Sequence, residues 1–151
     1  MKKLLYFSVA IIIFLIAAVI FLYSHHPLQI GGHTVIYNEA VIIEIKNKGI
    51  SDIQLENVIV PNPEQTKVEI GVSYSMQLVI GSGLNQGRTF ENLSAQTVHP
   101  ELTFEQKIEA IEKGQGTPIH YGIRINDSSV KEVMIQYRYL GLRYTETIEI
   151  N

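Results

Sequence analysis

The chain has 151 residues, enough for one ordinary domain and an appendage. It carries 12 Lys+Arg against 15 Asp+Glu; with Lys2 and Lys3 set aside, ten basic side chains face fifteen acidic ones, a net −5 with no basic block. That balance excludes sequence-independent nucleic-acid binding, and the absence of cysteine excludes a disulfide framework, a cysteine-borne lipid and a thiol nucleophile.

Leu4 to Tyr23 is an apolar and aromatic run broken only by Ser8. A cleaved signal has an apolar region of ~7–15 residues, whereas a spanning helix needs ~20. The run has the spanning length, and no small-x-small cleavage site follows it at the right distance. Tyr6 and Tyr23 stand near its two ends, where amphipathic rings fix the depth of a span. The expectation is an uncleaved signal anchor at 4–23, preceded by a cytoplasmic segment at 1–3. A juxtamembrane linker at 24–32 and an extracytoplasmic domain at 33–151 would follow. Lys2 and Lys3 flank one end, and the first basic residue beyond the other is Lys46. The positive-inside rule therefore predicts a cytoplasmic N-terminus, a single pass through the lipid bilayer and a domain outside the cell membrane.

Period-2 alternation dominates after Gly32. Val41, Ile43 and Ile45 share one parity, and Asn47-Lys48-Gly49 supplies a turn. Ile53 and Leu55 are odd while Val58 and Val60 are even, so a β-bulge near Glu56-Asn57 is expected to bring all four to one core. Pro61-Asn62-Pro63 ends that strand. The longest alternation runs through Val68, Ile70, Val72, Tyr74, Met76, Leu78 and Ile80, with a bend predicted near Gly71–Ser75 and Ser73 facing solvent. The segment from Gly81 to His99 reads as a long loop with a short strand near Leu93–Val98.

Thr103-Phe104-Glu105-Gln106 has capping-box spacing. It opens a ten-residue helix whose face of Phe104, Ile108 and Ile111 is expected to pack on the sheets, with Gly114 as its C-terminal cap. Ile119, Tyr121, Ile123 and Ile125 form a further strand. Val133, Ile135, Tyr137 and Tyr139 turn through Leu140-Gly141 into Tyr144, Ile148 and Ile150, where Glu146 breaks the apolar parity and belongs at an edge that water reaches. Six or seven short strands with turns between them predict an all-β fold, an antiparallel β-sandwich with one short helix, preceded by a single transmembrane helix.

Val41-Ile-Ile-Glu-Ile-Lys-Asn-Lys-Gly49 and Val133-Met-Ile-Gln-Tyr-Arg-Tyr-Leu-Gly141 resemble the immunoglobulin-like or fibronectin-III-like modules of bacterial membrane-anchored extracytoplasmic proteins. The resemblance implies a sandwich and an interaction role. It transfers no site residues, and the chain lacks the cysteine pair and core tryptophan of antibody domains.

Candidate chemistry is sparse. Gly83 and Gly87 miss phosphate-loop spacing, and Arg88 stands where the loop needs lysine. His25, His26 and His33 cluster without ligand spacing, so no metal and no cofactor is expected. Glu101, Glu105, Glu109 and Glu112 share a helix rather than facing each other across a cleft, and Glu109–Lys113 has the order of an exposed ion pair. Tyr121, Tyr137, Tyr139 and Tyr144 fall on core parity. The opposite parity holds His120, Arg124, Arg138 and Arg143, which form the candidate partner surface.

With no catalytic residue identified, the expected function is a non-enzymatic interaction or accessory module of the cell envelope, with an envelope protein as partner. Two alternatives stay open. One is an envelope hydrolase with a Glu/His site assembled across loops; the other is a single-pass subunit of a membrane complex.

Overall fold

The computed structural model describes the backbone of all residues except 1, 25, 65, 81–87, 94–96 and 115, and the side chains of these residues and of 2–5, 22, 23 and 88 are outside the description. Among the described residues, helix α1 (Lys2–Ser24) leads into nine strands and a second helix: β1 (Leu28–Ile36), β2 (Ala40–Asn47), β3 (Ile53–Ile59), β4 (Val68–Ser73), β5 (Arg88–Asn92), β6 (Thr97–Val98), α2 (Phe104–Lys113), β7 (His120–Ile125), β8 (Glu132–Tyr139) and β9 (Leu142–Glu149). The strands form a five-stranded sheet in the order β1-β2-β7-β4-β5 and a four-stranded sheet in the order β6-β3-β8-β9. Every strand pairing is antiparallel.

The two sheets enclose one apolar core. Val41, Ile43, Ile45, Ile70, Val72, Ile123 and Ile125 enter it from the first sheet, and Ile53, Val133, Ile135 and Tyr137 from the second. Such burial removes apolar area from water and is the main favourable term in the fold. The parity switch in β3 is a bulge: the register slips between Leu55 and Asn57, and Leu55 and Val58 are both buried. At Leu140 (φ 49°) and Gly141 (φ 81°) both turn residues have positive φ, which gives the tight β8–β9 turn a twist matching its strands. Tyr121, Tyr137, Tyr139 and Tyr144 are buried, as their parity requires.

Four local expectations change. β1 begins at Leu28, within the segment read as linker, because the slip between Ile30 and Gly32 disguises its alternation. β5 occupies part of the segment read as loop; the Gly-rich stretch at 81–87 and His25 lie outside the described residues. The long alternation at 68–80 leaves the sheet after Ser73. There the Ser73 hydroxyl donates to Gln77 O at 2.7 Å, a local bond that competes with the ladder. Ser73 is consequently fully buried rather than facing solvent. The fourth change concerns α2. It forms as read, with Thr103 and Gln106 completing the capping box and Gly114 at φ 59°, but none of its residues is buried.

Helix α1 continues without interruption over Lys2–Ser24, and its described large apolar side chains are exposed, Phe14 and Tyr6 both at 72%. Among the described residues no helix is long and apolar enough to cross a membrane. The expected span Leu4–Tyr23 lies partly outside the described side chains, which in α1 cover 6–21 and 24.

Two substitutions separate core from covering. Val72→Asp places an unpaired carboxylate at a site 1% exposed and should unfold the domain, at a cost of several kcal/mol. Ser73→Ala keeps the sandwich and removes the bond to Gln77, at roughly 1 kcal/mol. Thermal unfolding should show loss of the transition for the first and a modest shift for the second. Equal effects would show that the strand's two faces are misassigned.

Candidate functional site

The end of the sandwich from which α1 departs gathers most of the polar machinery. Asn47, last residue of β2, is 1% exposed. Its side-chain amide donates to Ser51 O (2.8 Å) and Val98 O (2.9 Å), and its Oδ1 accepts from Gly49 N (2.8 Å). Its own carbonyl accepts from Glu101 N at 2.8 Å, and it forms a parallel bridge with Pro100. One residue on, Lys48 N donates to Pro27 O at 2.8 Å. The same few residues therefore hold the start of β1, the turn after β2, the end of β6 and the approach to α2.

Glu101 pairs with Lys48 and lies 3.6 Å from the Lys107 Nζ, so the acidic residue before α2 belongs to this tie rather than to a row on the helix. The Lys48 hydrogen bond outweighs partial burial and holds the Glu101 carboxyl below the usual range. Tyr121 Oη accepts from His99 N at 3.4 Å, and burial pushes the phenol up to about 12. His99 Nδ1 lies 2.9 Å from Asp52 Oδ1.

A second cluster ties the linker to the opposite sheet. His26 pairs with Glu146, the residue that breaks the parity of β9, at the sheet edge. The His26 ring meets Tyr144 edge-on at 5.7 Å, and Tyr144 stacks on Tyr137 at 5.3 Å. Burial, with the Glu146 charge nearby, raises the Tyr137 phenol far above its ordinary range. Thus the chain entering β1 is fastened to both sheets.

The outer face of the five-stranded sheet is covered as well. Across it run Gly32, Glu44, Gly122, Gly71 and Phe90 in register. A Cβ at Gly71 or Gly122 would lie 2.7 or 2.9 Å from Val79, so the glycines make a trough in which Val79 sits fully buried. Glu44, 1% exposed, accepts Val79 N at 3.2 Å, and its other oxygen is 3.5 Å from His120 Nδ1. Ser73 is the cross-strand neighbour of His120. Glu44, His120 and Ser73 are residue types that nucleophilic hydrolysis uses. Here, however, the serine is fully buried and its hydroxyl is committed to Gln77 O, and the segment at 74–80 roofs the group. The arrangement fastens that segment to the sheet.

The four residues of the candidate partner surface separate into two pairs. His120 and Arg124 lie on the five-stranded sheet, where His120 is buried under the roof and Arg124 packs over Phe90 at 5.2 Å. Arg138 and Arg143 lie directly opposite each other on β8 and β9 of the other sheet. Like charges in that position repel. Glu56, the extra residue of the β3 bulge, sits between them, with Arg138 Nη2 at 2.7 Å and Arg143 Nε at 3.1 Å. Arg143 remains 75% exposed. Residue types had marked both arginines, but Glu56 entered the sequence argument only as a bulge position. Among the described residues no group of three or more His, Cys, Asp or Glu side chains could hold a metal ion. No family model, curated protein or solved structure matches the chain.

Two outcomes test the tie at this end. Asn47→Ala leaves the carbonyls of Ser51 and Val98 without their donor and should cost about 1–3 kcal/mol in chemical denaturation. A change within error would remove Asn47 from its role. For Glu101 the depressed pKa stabilises the fold above about pH 4.5, and this contribution is lost as pH falls through the folded-state value. Lys48→Ala should therefore destabilise at neutral pH and converge with the wild type in acid. A stability difference independent of pH would contradict the ion pair.

Proposed function

We propose that this chain is a single-pass membrane-anchored extracytoplasmic protein, with α1 in the bilayer, its N-terminus cytoplasmic, and an immunoglobulin-like sandwich outside. The sandwich serves as a non-enzymatic interaction or accessory module of the cell envelope. The observation that carries the reading is α1 itself: between Tyr6 and Phe21 its residues are apolar or aromatic but for Ser8, and their large side chains are exposed rather than packed on the domain. A helix of that kind needs an apolar environment around it. Lys2 and Lys3 at one end only set the orientation.

The strand order supports the finer description of the fold. β1-β2-β7-β4 and β3-β8-β9 correspond to the A-B-E-D and C-F-G sheets of constant-type immunoglobulin domains, with β5 and β6 added at the edges between D and E. The exposed face around Arg138, Arg143 and Glu56 is the proposed contact for a protein partner, since two guanidinium groups share one carboxylate and leave a positive surplus. The buried placement of Ser73 and His120 favours this reading over a hydrolase.

Expression of the full chain in bacteria tests it. The protein should stay in the membrane fraction through alkaline carbonate extraction, and protease added to protoplasts should remove the sandwich. A chain starting at Pro27 should be soluble and β-rich with a single unfolding transition unmoved by EDTA. Release by carbonate would reject the anchor, and full protease protection would reverse the orientation.

A further inference from the structure

α2 carries an apolar face that the sandwich covers only in part. Phe104 is 64% exposed and Ile111 41%, one turn to either side of Ile108, and no residue of the helix is buried. Glu105, Glu109 and Lys113 lie on the other side, with Glu109 and Lys113 paired. The residues turned toward the domain are Lys107, Ile108 and Ala110, all partly buried. A capped amphipathic helix thus lies on the domain through Lys107, Ile108 and Ala110, while Phe104 and Ile111 of its apolar face stay exposed.

Its position says what covers that side. Thr103, the N-cap, follows two residues after Glu101, whose N–H binds Asn47 O; the next residue, Lys48, binds Pro27 O, at the exit of α1. The start of α2 is therefore fixed beside the point where the chain turns into α1. The same end exposes Ile50 at 91% and Leu140 at 49%, on either side of Tyr139: Ile50 N donates to Tyr139 Oη at 3.0 Å, and Leu140 follows Tyr139 in the turn. A bilayer that receives α1 passes close under these side chains.

We infer that α2 is a second, interfacial membrane contact, its face of Phe104 and Ile111, together with Ile50 and Leu140, resting on the lipid surface that α1 enters. This rests on the anchor reading above. The occupant is the acyl and headgroup boundary rather than a charged surface. The helix is close to neutral, with Glu105, Glu109 and Glu112 against Lys107 and Lys113, so apolar contact supplies the attraction. Its charged side stays in water, as an in-plane helix requires.

The chain has no tryptophan, so a single introduced indole reports its own surroundings. The full chain, reconstituted in phosphatidylcholine vesicles with and without brominated acyl chains, is compared in five variants. Phe104→Trp and Ile111→Trp probe α2, and Glu105→Trp probes its polar side. Ile12→Trp probes the middle of α1, and Tyr37→Trp probes the β1–β2 turn at the far end, where Tyr37 is 85% exposed. Circular dichroism identical to the parent admits each variant, and two probes on the face guard against one disturbing the helix. Brominated lipid should quench indoles at 12, 104 and 111 and leave those at 105 and 37 unaffected, with blue-shifted emission at 104 and 111. Quenching at 12 without quenching at 104 or 111 overturns the interfacial contact and leaves the anchor standing. Blue-shifted but unquenched emission at 104 and 111 assigns the face to protein, another copy or a partner, and likewise overturns it. No quenching at 12 rejects the anchor, and the interfacial contact with it.

Discussion

The end of the sandwich nearest α1 depends on the buried amide of Asn47. Two carbonyls from separate segments, Ser51 and Val98, take both of its protons, and its oxygen and backbone complete the set. A turn and a two-residue strand meet there with little apolar area to hold them. An amide enclosed by its partners is stronger than one exposed to water, and costly to leave half satisfied. Because Glu101 binds the same residue and Lys48 binds Pro27, the placement of α2 and the exit of α1 become properties of one network. Local geometry at one side chain is thereby linked to the placement of two segments far apart in sequence, the start of β1 and the approach to α2.

The five-stranded sheet shows a different economy. Antiparallel sheets usually leave one face in water, and alternation in the sequence reflects that. β2 departs from it: Ala40, Ile42 and Glu44 are buried on the outer face while Val41, Ile43 and Ile45 fill the core. The cause lies far along the chain, where residues after Ser73 fold back and Val79 enters the trough left by Gly71 and Gly122. Glu44 accepts the Val79 amide there through one oxygen, while the other lies 3.5 Å from the His120 ring without a hydrogen bond. An apolar side chain at 44 would leave that amide without its acceptor.

These two arrangements explain what was legible in the sequence. Elements whose identity depends on neighbours in sequence were readable: the alternating strands, the bulge that reconciles Leu55 with Val58, the Leu140-Gly141 turn and both caps of α2. Elements decided by distant cover were not. Parity puts His120 opposite Tyr121, which is correct, but only the roof makes that side buried. Amphipathicity marks the face of α2, yet cannot tell whether sandwich or something else receives it. The partner surface divided for the same reason, since parity gives a face within each strand and the sheet assignment separates Arg124 from Arg138.

The short connection between α1 and β1 limits how the module can work under the proposed anchoring. A long flexible tether would let the sandwich sample a wide volume and present any face. Here Pro27 is bonded to Lys48 and His26 to Glu146, so the chain is held to both sheets as soon as it leaves α1. The nine residues of β1 then carry the chain roughly 30 Å away, which sets the height of the far turns. If α2 rests on lipid, the remaining rotation is restricted too, and the end of the sandwich is withdrawn from protein contact. What stays available is the side of the molecule, including the four-stranded sheet with Arg138, Arg143 and Glu56, and the turns at the far end. Under the proposed anchoring, a partner of such a module would be met laterally, by another protein standing in or on the same membrane, because a fixed height and a basic flank favour neighbours that share that geometry.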